Sequence, residues 1–524
     1  MPLSLPGRIA FWLSAAAAGV AQALSMAWPL DGKGQPLWWL QLLSLAVLAH
    51  GLRRALPPRR AAAFAGLFAT SWLAATFWWL FISMHTYGGL AAPLAVLAVL
   101  GLAAFLASYY ALAAWAFVRF RPVSALASTL LFAACWTLAE LARGSLWTGF
   151  PWGAGGYAHV EGPLSVLPRW LGVYGTGAVA AALAYALVGL RAIHLRQART
   201  WALLALGAAL LAGLFWQRDC ALRACLAEAP AAPPSTLSVA LLQGNIPQDE
   251  KFEPGSGVPL ALEWYAAALR SSDAQLLVAP ETAIPLLPQQ LPLDYLPPLQ
   301  QHFSAGPQAA LIGIPLGNPL EGFTNSVVGL VPGQPVYRYD KHHLVPFGEF
   351  IPPLFRWFTQ MMNIPLGDFN RGGLAQPSMA WAGQRLAPNI CYEDLFGEEL
   401  GLRFRDLPEA PTIFVNVSNI GWFGDSVAID QHLAISRMRA LEFERPMLRA
   451  TNTGATVIID HHGAVTQALA PHVRGVLTGS VEGREGLTPF ARWVRWAGQL
   501  PLWLLAAAAV AGAIWRQRVC APGK

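Results

Sequence analysis

Long apolar runs constrain this chain more than any other feature of its sequence. A helix that crosses a membrane needs about 20 mostly apolar residues. Eight stretches approach or exceed that length, at 8–28, 36–52, 62–83, 90–118, 124–142, 166–190, 200–217 and 497–515. Of the 29 Asp and Glu residues, all but Asp31, Glu140 and Glu161 lie between Asp219 and Glu485. The pattern predicts an α-helical membrane bundle of eight spans that carries one polar domain.

Composition excludes two broad classes of protein. The residues AVILMFWYC make up 55% of the 524 residues and charged residues only 12%, which is about half the share usual in soluble proteins. Neither a disordered chain nor an ordinary soluble enzyme has this balance. The net charge of +6 comes from basic residues clustered at the borders of the apolar runs, so we predict no nucleic-acid partner.

Basic residues in the short loops predict the orientation in the membrane. The loops after the second, fourth and sixth runs and the C-terminal tail are rich in arginine, whereas the loops after the first, third and fifth runs carry only Lys33 and Arg143. We therefore expect both termini in the cytoplasm and the polar domain in the periplasm of a two-membrane bacterium. The first run also has the layout of a signal peptide, an alternative that the seven later runs disfavour.

The polar region reads as an α/β domain. Short apolar runs with β-forming residues occur at 237–244, 275–280, 309–315, 325–331, 385–391, 411–417 and 448–460, and helical patterns at 258–271 and 428–445. Nearly continuous apolar strands are typical of sheets buried on both faces. The predicted parts are a membrane domain of seven helices at 1–217, a linker at 218–236, an extracytoplasmic domain at 237–490, and a last transmembrane helix with its tail at 491–524.

The five cysteines have different surroundings. Cys135 lies inside a predicted span and Cys520 in the cytoplasmic tail. Cys220 and Cys225 follow the seventh span and could pair in an oxidising compartment, which the sequence leaves open. Cys391 stands alone in the extracytoplasmic domain, which marks it as a candidate reactive thiol.

Three reactive residues follow predicted strands or precede conspicuous loops. Glu281 follows QLLVAP, Lys341 opens KHHLVPFGEF, and Cys391 ends RLAPNIC. Ligands of α/β sheets bind beyond the carboxyl ends of the strands, so these side chains can converge. A carboxylate can take the proton of a thiol, and an ammonium can stabilise the thiolate and a developing oxyanion.

The same residues also allow interpretations in which they have no catalytic role. A lone cysteine is often inert, a glutamate after a strand often caps a helix, and a loop lysine is often solvated. A Cys391–His432 dyad is a further alternative. The adjacent histidines at 342–343 and 461–462 lack helical metal-ligand spacing, so we predict no metal site.

Local sequence words narrow the choice. The segments QGNIPQ (243–248), PETAIP (280–285), KHHLVPFGEF (341–350), ICYED (390–394), SNIGWFG (418–424) and RMRALEFERPMLRAT (437–451) strongly resemble the nitrilase superfamily. More narrowly, the chain resembles the membrane-embedded branch of that superfamily, the apolipoprotein N-acyltransferases. The segments ISMHTYGG (82–89) and TGFPWGAGGY (148–157) agree with that branch. The resemblance implies a nitrilase-like α-β-β-α sandwich for the extracytoplasmic domain.

The resemblance also implies roles for individual residues. It makes Glu281 the general base, Lys341 the stabiliser of the thiolate and the oxyanion, and Cys391 the nucleophile. Glu349 and Glu393 match further acidic residues of the family near the active site, expected to orient Lys341 and the incoming amine. The backbone N–H of Tyr392 is expected to complete an oxyanion hole.

Two positions depart from the family pattern as we read it. Phe252 stands where the family often has tryptophan, which keeps an apolar wall but loses the indole N–H. Ile420 stands where an aspartate is common. These departures affect the expected loop contacts and leave the three reactive residues in place.

The implied reaction is an acyl transfer by a ping-pong route. Cys391 would take an acyl chain from a membrane phospholipid, phosphatidylethanolamine being the expected donor, and pass it to the N-terminal amine of a diacylglyceryl-modified apolipoprotein. No metal or organic cofactor is implied, and a monomer is expected. The alternatives are a membrane-tethered amidase, and a transporter or scaffold with an inactive domain. The scarcity of polar residues within the spans disfavours the transporter.

An apolar segment at 351–365 lies between Lys341 and Cys391 in the sequence. It is too short to span a membrane, and we interpret it as a mobile arm that meets the interface or covers the acyl chain, a core-packed loop being the alternative. The expected substrate-binding residues are Phe252, Phe355, Trp357, Phe358, Met361 and Met362.

Overall fold

The computed structural model describes residues 4–29, 34–54, 56–190, 197–227, 236–351 and 368–519. The chain divides into two compact units. One, the helical unit, consists of 1–78, 96–230 and 497–524. The other, the sheet unit, consists of 79–95 and 231–496.

The first and last parts of the chain fold into helices. Their bounds are α1 Leu5–Leu24, α2 Trp38–Arg53, α3 Pro58–Phe77, α4 Ala92–Phe120, α5 Ala125–Ser145, α6 Pro168–Val188, α7 Ala198–Ala227 and α13 Leu500–Val519. Within the described ranges, the segments long and apolar enough to cross a membrane are Ala92–Phe120, Ala125–Thr148, Pro168–Val188, Ala198–Gln217 and Leu500–Val519. Each predicted span overlaps a different one of these eight helices, and the layout of eight spans stays a prediction.

The prediction that Arg143 lies in the loop after the fifth run is wrong. This arginine occupies the last turn of α5, fully buried, with its guanidinium 3.6 Å from the buried carboxylate of Glu140. Its Nε donates to the hydroxyl of Tyr110 at 2.9 Å, and Nη1 donates to the carbonyl oxygens of Phe150 and Trp152. Because a buried charge must be paired and hydrogen-bonded, these partners are what allow the charged side chain of Arg143 to be buried.

The sheet unit contains two six-stranded sheets. The first has the order β12-β1-β2-β3-β4-β5 and the second β11-β10-β9-β8-β7-β6. The strands are β1 Thr236–Gln243, β2 Leu276–Val278, β3 Ala309–Asn318, β4 Gly322–Leu330, β5 Tyr337–Asp340, β6 Met379–Trp381, β7 Gln384–Ile390, β8 Ile413–Ser418, β9 Met447–Thr451, β10 Thr456–Ile459, β11 Val465–Leu469 and β12 Gly475–Glu482. Strands β1, β2 and β3 run parallel, as do β7, β8 and β9.

Alternate residues of the central strands enter two different cores, which is why these strands read as continuous apolar runs. In β1, Val239 and Leu241 pack between the two sheets. Ala240 and Leu242 face the opposite way, into a core that also holds apolar residues of two helices. The helices of the sheet unit are α8 Gly257–Ser271, α9 Leu296–Ala305, α10 Gly397–Gly401, α11 Ala428–Phe443 and α12 Pro489–Ala497.

Helix α11 lies against the second sheet. The Phe443 ring near its end meets the ring of Phe414 on β8 edge-on, with centroids 5.5 Å apart, and stacks on that of Phe404. With α8 and α9 on the first sheet, this gives the α-β-β-α layering that was predicted. Strand β2 is parallel to β1 and β3, and β7 is parallel to β8. Side chains of the loops that follow β2 and β7 can therefore lie close together.

A segment that precedes α4 also belongs to the sheet unit. It contains a π-helical turn at Ile82–Tyr87. The indole Nε1 of Trp79 donates to the side-chain oxygen of Gln431 at 3.0 Å, and the Trp79 ring lies 4.2 Å from that of Phe423. These contacts join the 79–95 segment to the rest of the sheet unit.

Candidate active site

Glu281 lies in a tight turn just after β2. The turn approaches β3 so closely that a Cβ atom on Gly313 would lie 2.2 Å from the carbonyl oxygen of Pro280. Thr282 adopts a left-handed backbone with φ of 48°, which is uncommon for a residue other than glycine. A glycine at 313 is therefore needed for the turn to place Glu281 where it does.

The Glu281 carboxylate is buried and fully engaged. Its Oε1 accepts from Asn325 Nδ2 at 2.7 Å and from Lys341 Nζ at 3.3 Å. Its Oε2 accepts from the backbone N–H of Asn419 at 2.8 Å. Burial acts to raise the pKa of Glu281, but the Lys341 ammonium and the Asn325 hydrogen bond outweigh it, so the pKa lies below its ordinary value. The group is a carboxylate at neutral pH, able to accept a proton.

Lys341 follows β5 and has two carboxylate partners. Its Nζ lies 2.9 Å from Glu349 Oε1 and 3.3 Å from Glu281 Oε1, and the side chain is only 1% exposed. Glu349 is held in turn by Asn325 Nδ2 at 2.7 Å and by the N–H of Val345 at 2.8 Å. Burial would lower the pKa of Lys341, but the two carboxylates raise it above its ordinary value. The ammonium is therefore charged at neutral pH.

Cys391 is the first residue after β7 and is half-buried. It has a left-handed backbone, with φ of 53°. Its carbonyl oxygen accepts from Asn416 Nδ2 at 3.3 Å and from His432 Nε2 at 3.1 Å. Because a peptide group is planar and trans, the N–H of the next residue, Tyr392, points away from these two donors. That N–H is thus directed to the side opposite the buried carbonyl.

The thiol of Cys391 is near the other two reactive groups. Burial raises its pKa, the charge of Glu281 raises it further, and the charge of Lys341 lowers it. With the balance above the ordinary value, the resting group is a thiol. A nucleophilic role would therefore need a base, and the Glu281 carboxylate is the one whose charge acts on the thiol most strongly.

Glu393 links the Cys391 turn to the loop that starts at Lys341. One carboxylate oxygen accepts from the N–H of Ile390 at 2.7 Å and from the hydroxyl of Tyr339 at 2.8 Å. The other accepts from the N–H of His342 at 2.7 Å and, at 3.3 Å, from that of His343. Each of these partners lies next to, or close in sequence to, Cys391 or Lys341.

Comparisons with known proteins bear on this arrangement. Residues 18–186 match the family described as apolipoprotein N-acyltransferase N-terminal domain, and residues 238–488 match carbon-nitrogen hydrolase. The apolipoprotein N-acyltransferase of Verminephrobacter eiseniae is 65% identical over 91% of this chain and 92% of its own. The chain belongs to the apolipoprotein N-acyltransferase family.

A second relative agrees with that membership. The apolipoprotein N-acyltransferase of Ralstonia nicotianae is 47% identical, over 87% of this chain and 86% of its own. Among solved structures, a carbon-nitrogen hydrolase from Helicobacter pylori G27 aligns with 52% of this chain and 94% of its own, at 14% identity and a TM-score of 0.36. The match to the carbon-nitrogen hydrolase family spans both sheets of the sheet unit, which has the nitrilase-like fold.

The structure brings the predicted catalytic and supporting residues of this family member together. Glu281, Lys341 and Glu349 share hydrogen bonds, and Cys391 lies within range of their charges. Phe252 lies apart from these bonds, with its ring 6.5 Å from that of Trp422. The segment 352–367 lies outside the described residues, and it contains the predicted substrate-binding residues Phe355, Trp357, Phe358, Met361 and Met362. The side chains of Cys220 and Cys225 lie outside the described residues as well.

Hydrogen bonds join the His432 ring to Arg449, to Asp394 and to the carbonyl oxygen of Cys391. Its Nδ1 accepts from Arg449 Nη2 at 2.7 Å, so the ring proton resides on Nε2, which lies 2.9 Å from Asp394 Oδ1. Asp394 also accepts from the hydroxyl of Ser436. All four side chains are fully buried. The network supports the Cys391 carbonyl, and both nitrogens of the His432 ring take part in it.

No group of three or more His, Cys, Asp and Glu residues suited to a metal ion occurs in the part of the chain that the structure describes. The His342 ring bonds the carbonyl oxygen of Gly372, and the His343 ring bonds Glu399.

Sequence reasoning missed four residues that hold the site. Asn325 bonds both Glu281 and Glu349. Lys251 Nζ donates to the main-chain oxygen of Glu281 at 3.1 Å. Asp394 and Arg449 belong to the buried network under Cys391. Asp394 and Arg449 lie in segments already recognised for their resemblance, and Lys251 lies three residues beyond one, whereas Asn325 only opens the predicted strand at 325–331.

Proposed function

We propose that this chain transfers a fatty acyl group from a membrane phospholipid to the N-terminal amine of an apolipoprotein. The carrying observation is the buried Glu281–Lys341 pair, 3.3 Å apart, whose charges act on a thiol held at the end of β7. A buried carboxylate, an ammonium and a thiol together can carry out acyl transfer through a thioester, as base, oxyanion stabiliser and nucleophile. The family to which the chain belongs supplies the substrate classes.

The first step forms the thioester. Glu281 takes the proton of Cys391, and the sulfur attacks the carbonyl carbon of the phospholipid ester. The oxyanion of the tetrahedral intermediate is stabilised by the Lys341 ammonium and the Tyr392 N–H. The C–O bond then breaks, and Glu281 returns the proton to the departing oxygen. The products are a lysophospholipid and acyl-Cys391.

The second step consumes the thioester. The neutral α-amine of the diacylglyceryl-cysteine attacks the thioester carbonyl and loses a proton to Glu281. The C–S bond breaks, and the proton passes from Glu281 to the sulfur. Because the two substrates react in turn with one enzyme form each, ping-pong kinetics are expected. Glu349 keeps Lys341 in place through both steps, and Glu393 fixes the two loops.

The proposed setting is a bacterial inner membrane. The eight helices that overlap the apolar runs would all span it, with both termini cytoplasmic and the sheet unit in the periplasm. The donor is phosphatidylethanolamine and the protein acts as a monomer. Phe252 and the 351–365 arm would contact the acyl chain, since aromatic and methionine side chains suit varied apolar partners.

The test is the intact mass of the purified protein after incubation with phosphatidylethanolamine. A fatty-acyl increment that hydroxylamine removes is expected for the wild type and for Cys135→Ala, which loses a buried cysteine of α5. Cys391→Ala should give none. Glu281→Gln and Lys341→Ala should form the thioester far more slowly, and near-normal acylation of either would overturn its role.

A second addition distinguishes transferase from hydrolase. A diacylglyceryl-cysteinyl peptide added to the acyl-enzyme should gain the acyl chain as the protein loses it. Release of free fatty acid, with or without the peptide, would instead favour the membrane-tethered amidase or hydrolase. No increment with phosphatidylethanolamine or with a short activated ester would contradict acyl chemistry at Cys391.

A further inference from the structure

A second lysine lies buried beside the proposed catalytic groups. Lys251 follows the QGNIPQ segment and is 2% exposed. Its Nζ donates to the main-chain carbonyl oxygen of Glu281 at 3.1 Å. Across the described ranges, no carboxylate oxygen lies within 4.0 Å of this nitrogen, in contrast to Lys341 with its two ion pairs. An ammonium ion so placed has lost its water shell without gaining a counter-ion.

The two buried lysines therefore differ in charge behaviour. Burial lowers the pKa of Lys251 to about 7, and the negative charge of Glu281, with that of Cys391 when it is a thiolate, opposes that change without cancelling it. Lys341 is held charged by its carboxylates. Of the two cations, only Lys251 changes its charge near neutral pH.

One hydrogen bond to the main-chain carbonyl oxygen of Glu281 can affect the position of the whole turn that carries the Glu281 carboxylate. The turn that carries it is packed against Gly313 and includes the left-handed Thr282. A hydrogen bond from a charged donor is roughly twice as strong as one between neutral groups. A protonated Lys251 thus holds the Glu281 main chain more firmly than a neutral one does.

We propose that Lys251 is a positioning residue of the acyl transfer: in its ammonium form it fixes the Glu281 turn and adds a second positive charge beside Cys391, and loss of its proton slows thioester formation. The proposal rests on the proposed function. No bond to Lys251 forms or breaks in the reaction. Its proton exchanges with solvent, and its charge favours the thiolate and the oxyanion electrostatically.

Within the described ranges, two titratable groups of neighbouring elements act on Lys251. Glu281 after β2 and Cys391 after β7 are the ones whose charges act on it. The acidic residues of its own turn are exposed, and they are Asp249, Glu250 and Glu253. A decrease in rate on the alkaline side of neutral pH is therefore assigned to Lys251, because Glu281 stays ionised and Lys341 stays charged across that range.

The experiment measures the single-turnover rate of thioester formation by intact mass from about pH 5.5 to about pH 9. The variants are Lys251→Met, which keeps the length but not the charge, and Lys251→Arg, which stays charged because arginine does not deprotonate in proteins. Arg270→Met, which removes an exposed cation of α8 whose Nε bonds its own helix, controls for the loss of one positive charge. Thermal unfolding midpoints show whether each variant folds.

The expected results separate positioning by charge from mere packing. The wild type and Arg270→Met should lose rate as the pH rises above neutrality. Lys251→Met should be about tenfold or more slower at about pH 6, within the range of effects of single positioned groups, and should lack the alkaline decrease. Lys251→Arg should recover part of the rate and should show no alkaline decrease over this range, because its charge persists.

Two results would overturn the inference. One is a Lys251→Met rate equal to the wild-type rate at about pH 6. The other is a slow Lys251→Met that keeps the wild-type alkaline decrease, which would leave only a packing role. If Lys251→Arg does not fold, the pH profile of Lys251→Met decides alone. Absence of a thioester in the wild type would contradict the proposed function and is thereby distinguished from failure of this inference.

Discussion

Substitution of Glu393 by glutamine tests how the two halves of the proposed site are joined. The carboxylate accepts four hydrogen bonds, two on each oxygen, from the hydroxyl of Tyr339 and the backbone N–H groups of Ile390, His342 and His343. A glutamine presents one oxygen and one NH₂ group, which cannot accept. Whichever way the amide turns, two donors lose their acceptor and face another donor.

The size of the effect follows from those lost bonds. A hydrogen bond to a charged acceptor contributes about 1.5–3 kcal/mol, so the loss of two amounts to roughly 3–6 kcal/mol, part of which relaxation recovers. The cheapest relaxation moves either the Ile390 end of β7 or the 342–343 backbone. Either movement shifts Cys391 relative to Lys341, and a misplacement of about 1 Å can cost about a hundredfold in rate.

The assay separates the two chemical steps. Single-turnover acylation by phosphatidylethanolamine, followed by intact mass, gives the first rate, and addition of a diacylglyceryl-cysteinyl peptide gives the second. We expect Glu393→Gln to slow the first step about a hundredfold by misplacement and to slow the second step as well. Glu409→Gln, at an exposed glutamate of the sheet unit, should change neither.

One result would refute this reasoning. If Glu393→Gln forms the thioester at the wild-type rate and fails only in transfer, the carboxylate acts on the incoming amine directly. The sequence resemblance allowed that role. The four hydrogen bonds instead favour a structural link, because they leave the carboxylate engaged with the protein on both oxygens.

Three further predictions use other features of the site. Gly313→Ala should displace the turn of Glu281, because its Cβ would lie 2.2 Å from a carbonyl oxygen; we expect a loss of about 1–3 kcal/mol from overpacking and of most acylation, with Gly255→Ala, in open space, as the control. Burial and the Arg449 charge lower the pKa of His432. The unfolded chain therefore takes up this proton near pH 6.5 and the folded chain only at lower pH, so the stability of the fold should decrease on acidification below about pH 6.5. An equal decrease of the melting temperature in His432→Gln would contradict this. Phe252→Trp should keep near-wild-type acylation, because the ring is partly exposed; a large loss would show that Phe252 does not correspond to the family's tryptophan.

Strands buried on both faces were the most predictable part of the fold. The runs at 237–244 and 309–315 correspond to β1 and β3 because each side of these strands meets a core. The run at 448–460 is two strands, β9 and β10, with a turn between them. The edge strand β11 was not predicted, because its side chains are mostly exposed and give no apolar signal.

The ends of the strands were also predictable, because Glu281 and Cys391 stand directly beyond apolar runs. The conformations of their turns were not. The left-handed backbone of Cys391 and the close approach of Gly313 to the Glu281 turn depend on how neighbouring strands pack. No local residue pattern marks them, since glycine supplies the space from a different strand and cysteine carries no turn preference of its own.

The contacts of these supporting groups could not be predicted from the sequence, for a reason that they share. Lys251 bonds the carbonyl oxygen of Glu281, Glu393 bonds backbone N–H groups, and Asn419 supplies a backbone N–H to Glu281. A main-chain partner is the same whatever residue carries it, so no pair of complementary side chains exists for a reader of the sequence to match. The identity of such a partner is set by the fold alone. For the same reason, replacing the side chain at 419 should spare the N–H bond to Glu281, whereas replacing Lys251 or Glu393 removes bonds that no neighbouring side chain can restore.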